Sequence, residues 1–149
     1  MRRRLLVVLF ALVALIATGC DLRLVAPDGP APLRYRDAVF TSVTKTADVT
    51  YGSATDQQGQ VVTLKMDIYE PTGDTIGARP VIVLVHGGSF RSGTKTSAEL
   101  VDQANVYAKQ GYVTASISYR LATNGCTSIT IECITAIRQA KNDAQAAVR

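Results

Sequence analysis

The residues with the clearest chemical potential stand together at the end of an apolar run, where Val81-Ile82-Val83-Leu84-Val85 breaks directly into His86-Gly87-Gly88-Ser89-Phe90. A buried strand that ends in small residues leaves main-chain N–H groups free to meet an anion. Acyl transfer needs such donors where negative charge develops on the substrate oxygen. Small side chains matter because the substrate carbonyl must approach the main chain closely. Taken alone, the pentapeptide also fits a tight glycine turn with no ligand. The usual partners of such a site are not in the sequence. His86 is the only histidine in 149 residues, and at a strand end it suits a hydrogen-bonded structural role rather than that of a base. No Gly-x-Ser-x-Gly follows, and Ser89, Ser92, Ser97, Ser116, Ser118 and Ser128 all lack the strand-to-helix glycine elbow that presents a nucleophile. A Ser-His-Asp triad cannot be assembled from these residues, so no residue of this chain is assigned as catalytic.

The elements that must position this turn can be read from periodicity. Val43, Thr44, Thr46, Val49 and Tyr51 are β-prone, and turn residues from Gly52 to Gly59 lead to a second arm, Val61 to Tyr69, which predicts an opening hairpin. In that arm Val62, Leu64, Met66 and Ile68 share one face, expected to be buried, and Thr63, Lys65 and Asp67 the other, expected to be wet. Val81 to Val85 is apolar at every position, as in a parallel strand buried on both faces. Ser97 is a candidate N-cap for a helix running to Lys109, with Leu100, Val101, Ala104 and Ala108 as its apolar stripe and Gly111 as its stop. Tyr112 to Tyr119 is another short β-prone run. A last helix from about Ile131 to Arg149 carries Ile134, Ile137, Ala144 and Val148 on its apolar side. Hairpin, strand, helix, strand, helix is the grammar of an α/β fold with a mostly parallel sheet.

Ahead of this domain the sequence reads as targeting and tether. Met1-Arg2-Arg3-Arg4 supplies a basic start and Leu5 to Ala17 an apolar stretch of signal-peptide length. The uncharged run from Leu5 to Cys20 is shorter than the roughly 20 residues of a membrane-spanning helix, so residues 1–19 are expected to be removed on export. From Asp21 to Arg36, Pro27, Pro30 and Pro32 with Asp28-Gly29 indicate an extended tether, and the tether region is drawn as 20–38 with the folded domain at 39–149. The 16 Lys and Arg against 12 Asp and Glu include the three arginines of the targeting segment, so the mature chain is close to neutral at +1. No basic stripe interleaved with aromatics remains, which argues against a nucleic-acid partner. Cys126 and Cys133, with six residues between them, would form a disulfide in an exported protein. Two buried reduced thiols or, less naturally, half of a zinc site are the alternatives.

Two resemblances give these features a common meaning. Ala17-Thr18-Gly19-Cys20 resembles the lipobox of bacterial lipoproteins, which implies lipidation at Cys20 and attachment to a membrane in the cell envelope; an ordinary signal peptide with secretion is the alternative. The folded part resembles the α/β-hydrolase superfamily, in particular the carboxylesterase-like group with an HGG oxyanion motif. Leu64-Lys65-Met66-Asp67-Ile68-Tyr69-Glu70-Pro71 is similar to its L-x-x-D-x-Y-x-P strand, and Val81 to Phe90 to its third strand and oxyanion turn. Ser118-Tyr119-Arg120-Leu121-Ala122 is similar to the Y-R-L-A that ends its fourth strand, and Asp143 to Arg149 to the helix before the nucleophile elbow.

The resemblance implies an amino-terminal part of the family's sheet, which is ordered 1-2-4-3-5-6-7-8, ending before strand 5. The third strand would then be an exposed apolar edge, of the kind that templates aggregation. It implies that the backbone N–H groups of Gly87, Gly88 and Ser89 form the oxyanion hole, with Ser89 where many relatives have a third glycine and His86 bracing the loop. Asp143 and Arg149 either anchor the last helix or lie on its exposed face. The expected function is the amino-terminal part of an exported carboxylesterase-like serine hydrolase for small acyl esters, inactive by itself and needing no cofactor or metal. A non-enzymatic envelope lipoprotein that uses a hydrolase-like half-domain for binding is the other reading.

Overall fold

The computed structural model describes residues 32–149. The targeting segment, Cys20 and most of the tether lie outside the described residues. Four strands and two helices follow in order: β1 Val43–Thr55, β2 Val61–Pro71, β3 Val81–Val85, α1 Ala98–Lys109, β4 Val113–Ile117 and α2 Ile131–Ala147. They build one sheet ordered β1-β2-β4-β3. β1 and β2 form the antiparallel hairpin, β2 pairs antiparallel with β4, and β3 and β4 run parallel from Val81↔Val113 to Val85↔Ile117. Only the β3–β4 pair is parallel, so within the described residues the sheet is mixed rather than mostly parallel. The strand order is the 1-2-4-3 expected of an amino-terminal α/β-hydrolase sheet.

α1 packs on one face, where Leu100, Ala104 and Ala108 meet Tyr69 and Leu84, with Val43 and Ile82 at the margin. Alanines at two of the three helix positions let the helix backbone come close to the strands. Thr114 exploits this by donating its hydroxyl to Ala104 O at 3.1 Å. α1 begins at the expected Ser97, although the Ser97 side chain makes no capping bond to the helix, and Gly111 follows its end with φ +106°. α2 covers the other face. Val85, whose side chain points away from the α1 side, shares a cavity wall with Ile137 and Ala140 of α2.

Several expectations are corrected here. β3 is not buried on both faces: as the edge strand it leaves Val81 59% and Val85 46% exposed, and only Leu84 is fully covered. Asp67 is not on a wet face but is 0% exposed, because the approach to α1 covers the side of β2 that carries Asp67 and Tyr69. In α2 the buried residues are Cys133, Ala136, Ala140 and Asp143, not the isoleucines; Ile134 and Ile137 are each 47% exposed. Order also begins earlier than residue 39. Tyr35 N donates to Gln110 O at 2.7 Å and Val39 N to Lys109 O at 2.9 Å, so Leu33–Phe40, which overlaps the expected tether, is folded against the end of α1. Arg34 anchors it through a two-pronged ion pair with Asp74 and a bond to Gly111 O.

Candidate active site

At the carboxyl end of β3 the chain turns sharply through Gly88, Ser89 and Phe90, whose φ angles are +109°, +51° and +60°. Three successive residues on the left-handed side of the map are costly for L side chains. The cost explains why a glycine would be natural at the position Ser89 occupies. The turn is closed by Arg91 N and Ser92 N, which both donate to Gly88 O at 3.0 and 3.1 Å. A Cβ on Gly88 would fall 2.2 Å from Ser92 O, so that glycine is required by space as well as by φ. The N–H groups of Gly87, Gly88 and Ser89 make no hydrogen bond to any described residue.

His86 is buried beneath this turn. Its ring stacks on Tyr119, with centroids 4.3 Å apart and planes 16° from parallel, and the Tyr119 hydroxyl donates to His86 O at 3.1 Å. Burial pushes the Tyr119 phenol up, so it stays a donor. His86 Nδ1 lies 2.7 Å from Gly87 O. A carbonyl can only accept, so Nδ1 carries the proton. Nε2 is buried with no hydrogen-bond partner among the described residues. Gly93 completes the packing, since its φ is +105° and a Cβ there would fall 2.2 Å from His86 Nδ1.

A second loop braces the turn from behind. Ala122 N donates to Phe90 O at 2.8 Å and Cys126 N to Ser89 O at 2.9 Å. Two of the turn's carbonyls are thereby engaged by this loop. This brace is itself tied to the start of α2 by the Cys126–Cys133 disulfide and by Asn124, which donates its main-chain and side-chain N–H groups to Glu132 at 2.9 and 2.8 Å. Asp143 fixes the other end of α2. It is buried, not on an exposed helix face, and takes a forked pair from Arg120, with Nη2 at 2.6 Å from Oδ1 and Nε at 2.9 Å from Oδ2, plus Arg120 N at 3.0 Å. Such planar, bidentate pairing is the strong form of an ion pair.

The turn, Tyr119 and α2 enclose an open cavity of about 410 Å³, with His86, Gly87, Ser89, Phe90 and Tyr119 on one side and Ile137, Ala140, Lys141 and Ala144 on the other. Its walls are chiefly apolar. Ser97, Ser116 and Ser118 are engaged elsewhere: Ser97 Oγ accepts from Thr94 N, and the other two hydroxyls bond the main chain of Lys95. Sequence reasoning located the turn, His86, the disulfide and the family strands. It missed Lys95 and the burial of Asp67, for which the signal was faint: an acid in a strand and a lysine in a loop, 28 residues apart.

The described residues have the strand order of the amino-terminal part of an α/β-hydrolase fold. The chain belongs to the BD-FAE family, whose family profile matches residues 66–146. Among solved structures it is similar to esterase B from Lactobacillus rhamnosis (22% identity over 78% of this chain and 30% of that one, TM-score 0.48). It is also similar to a bacterial heroin esterase (24%, 78% and 30%, TM-score 0.46). A third is brefeldin A esterase, described as a bacterial homologue of human hormone sensitive lipase (20%, 83% and 29%, TM-score 0.49). The chain spans about 30% of the length of these esterases. None of the curated protein sequences is similar enough to count as a match.

Proposed function

We propose that this chain is the amino-terminal part of an exported serine esterase acting on small acyl esters, and that Gly87, Gly88 and Ser89 are its oxyanion hole. The observation that carries the reading is the set of three consecutive N–H groups unengaged among the described residues, on a turn whose Gly87 and Ser89 line an apolar cavity. In the complete enzyme a serine supplied beyond residue 149 attacks the ester carbonyl. The oxygen then takes negative charge, the N–H groups stabilise it, and His86 holds the loop without exchanging a proton with substrate. Pre-aligned donors of this kind are worth about 10²–10³-fold each in rate. Lipidation at Cys20 would place the enzyme on a membrane of the bacterial envelope, with secretion as the outcome if that cysteine is not modified.

With neither nucleophile nor base, the 149-residue chain should hydrolyse p-nitrophenyl acetate no faster than the denatured control. A nucleophile-dependent burst would contradict that expectation. The coding sequence past the Arg149 codon tests the larger claim. A Gly-x-Ser-x-Gly in the same frame supports the esterase, and a stop codon there would favour a binding role for a hydrolase-like half-domain instead.

A further inference from the structure

The molecule contains a second polar cluster that the proposed reaction does not use. The first irregularity in β1, between Thr46 and Val49, holds Asp48 at φ +58° and turns its N–H onto Asp67 Oδ1 at 3.0 Å. The same carboxylate receives Lys95 Nζ at 2.5 Å, and Lys45 Nζ lies 2.8 Å from its other oxygen. Lys95 also reaches Asp48 at 3.2 Å. A buried carboxylate with two ammonium groups is an expensive arrangement, retained where it fixes a unique geometry. What it fixes here is a loop. Lys95 N donates to Ser118 Oγ at 3.1 Å, and Ser116 Oγ donates to Lys95 O at 2.8 Å. One residue is thus fastened to β1, β2 and β4 at once. That residue lies two positions after Gly93, which packs against the His86 ring, and three after Ser92, whose N–H closes the Gly88 turn.

We propose that Lys95, clamped by Asp67, is a positioning residue for the Gly87–Ser89 N–H groups: it holds the outgoing limb of the turn so that Gly93 stays against His86 and Gly88 O stays bonded. The geometric part is independent of the esterase reading, and only its catalytic consequence rests on that reading. Lys45 provides the control, because it serves the same carboxylate from β1 without touching the loop.

Residue-resolved amide hydrogen exchange on the full chain separates these roles. In Lys95→Met the Arg91 and Ser92 amides should exchange about tenfold faster or more, while the β1–β2 hairpin amides keep their protection. Lys45→Met should leave Arg91 and Ser92 unchanged, and Lys95→Arg should largely restore them. Equal loosening in both Met variants, or wild-type exchange at Arg91 and Ser92 in Lys95→Met, would overturn the proposal and reduce the cluster to fold stability. Should Lys95→Met fail to fold, Lys95→Gln is read by the same two amides. In the complete esterase, Lys95→Met should lower kcat by about tenfold to a hundredfold with KM little changed. Altered exchange with kcat unchanged would overturn the catalytic consequence proposed for Lys95, whereas a complete wild-type protein without esterase activity would count against the esterase reading alone.

Discussion

At the scale of single residues, two features outweigh the rest: glycines that nothing can replace and a carboxylate that burial alone would neutralise. Gly93→Ala puts a methyl group into the His86 ring at positive φ, so it should destabilise by about 1–3 kcal/mol. Gly77→Ala, where a Cβ meets nothing within 4 Å, should stay within about 0.5 kcal/mol; paired denaturant titrations check both. Burial pushes the Asp67 carboxyl up, but the Lys45 and Lys95 ammonium groups and the Asp48 N–H outweigh it and hold it below the ordinary range. Burial likewise pulls Lys95 down, and its two carboxylates outweigh that and raise it. A depressed carboxyl contributes stability that is present above its unfolded value of about 4 and lost as pH falls through the lower folded value. The raised ammonium contributes stability that is present below about 10.5 and lost as pH climbs past the higher folded value. Stability should therefore be level near neutrality. Asp67→Asn should make the acid limb of a pH–stability profile shallower, and an unchanged limb would show that another group governs it.

At the scale of elements, the hairpin, the β3–α1–β4 unit and the helix boundaries were legible because apolar periodicity and the Gly111 stop are local signals. The faces were less so. Asp67 looked like a solvent residue because strand alternation reports which residues share a face, not whether a later helix will cover it. The α2 isoleucines looked like a core stripe because hydrophobicity reports what a residue favours, not what lies opposite; small Cys133, Ala136 and Ala140 are buried instead because the helix sits close to the sheet. The turn after β3 was legible as a motif, while its surroundings were not: Cys126 N arrives from distant sequence, and Lys95, though close to the turn, is held by Asp67, 28 residues away. The disulfide belongs to this scale. Its reduction should cost about 2–2.5 kcal/mol by the loop-entropy argument, and exchange should quicken first at the Ala122 and Cys126 amides that back the turn. Loss spread evenly over the sheet would show that the bridge stabilises the domain without bracing the site.

At the scale of the whole molecule, the open side is the informative one. The free edge of β3, with Val81 and Val85 exposed, adjoins a cavity whose far wall is α2 and its exposed Ile137. A further parallel strand placed there would cover the apolar edge and deliver a residue next to the Gly87–Ser89 N–H groups, which ties the stability of this part to its proposed chemistry. Among the described residues no helix is long and apolar enough to cross a membrane. Sedimentation velocity on the 149-residue chain should show association that rises with concentration, and Val81→Lys should reduce it by placing a charge on the edge. Association insensitive to that change would locate the contact elsewhere. The central claim, that this chain carries the oxyanion donors of a serine esterase whose nucleophile lies beyond residue 149, is tested most directly by labelling the protein from its native source with a fluorophosphonate and mapping the adduct. The account predicts one modified serine, in a Gly-x-Ser-x-Gly peptide of the same polypeptide that carries His86 to Phe90. An adduct on Ser89, Ser92 or any other serine of this chain, or no adduct at all, would contradict it.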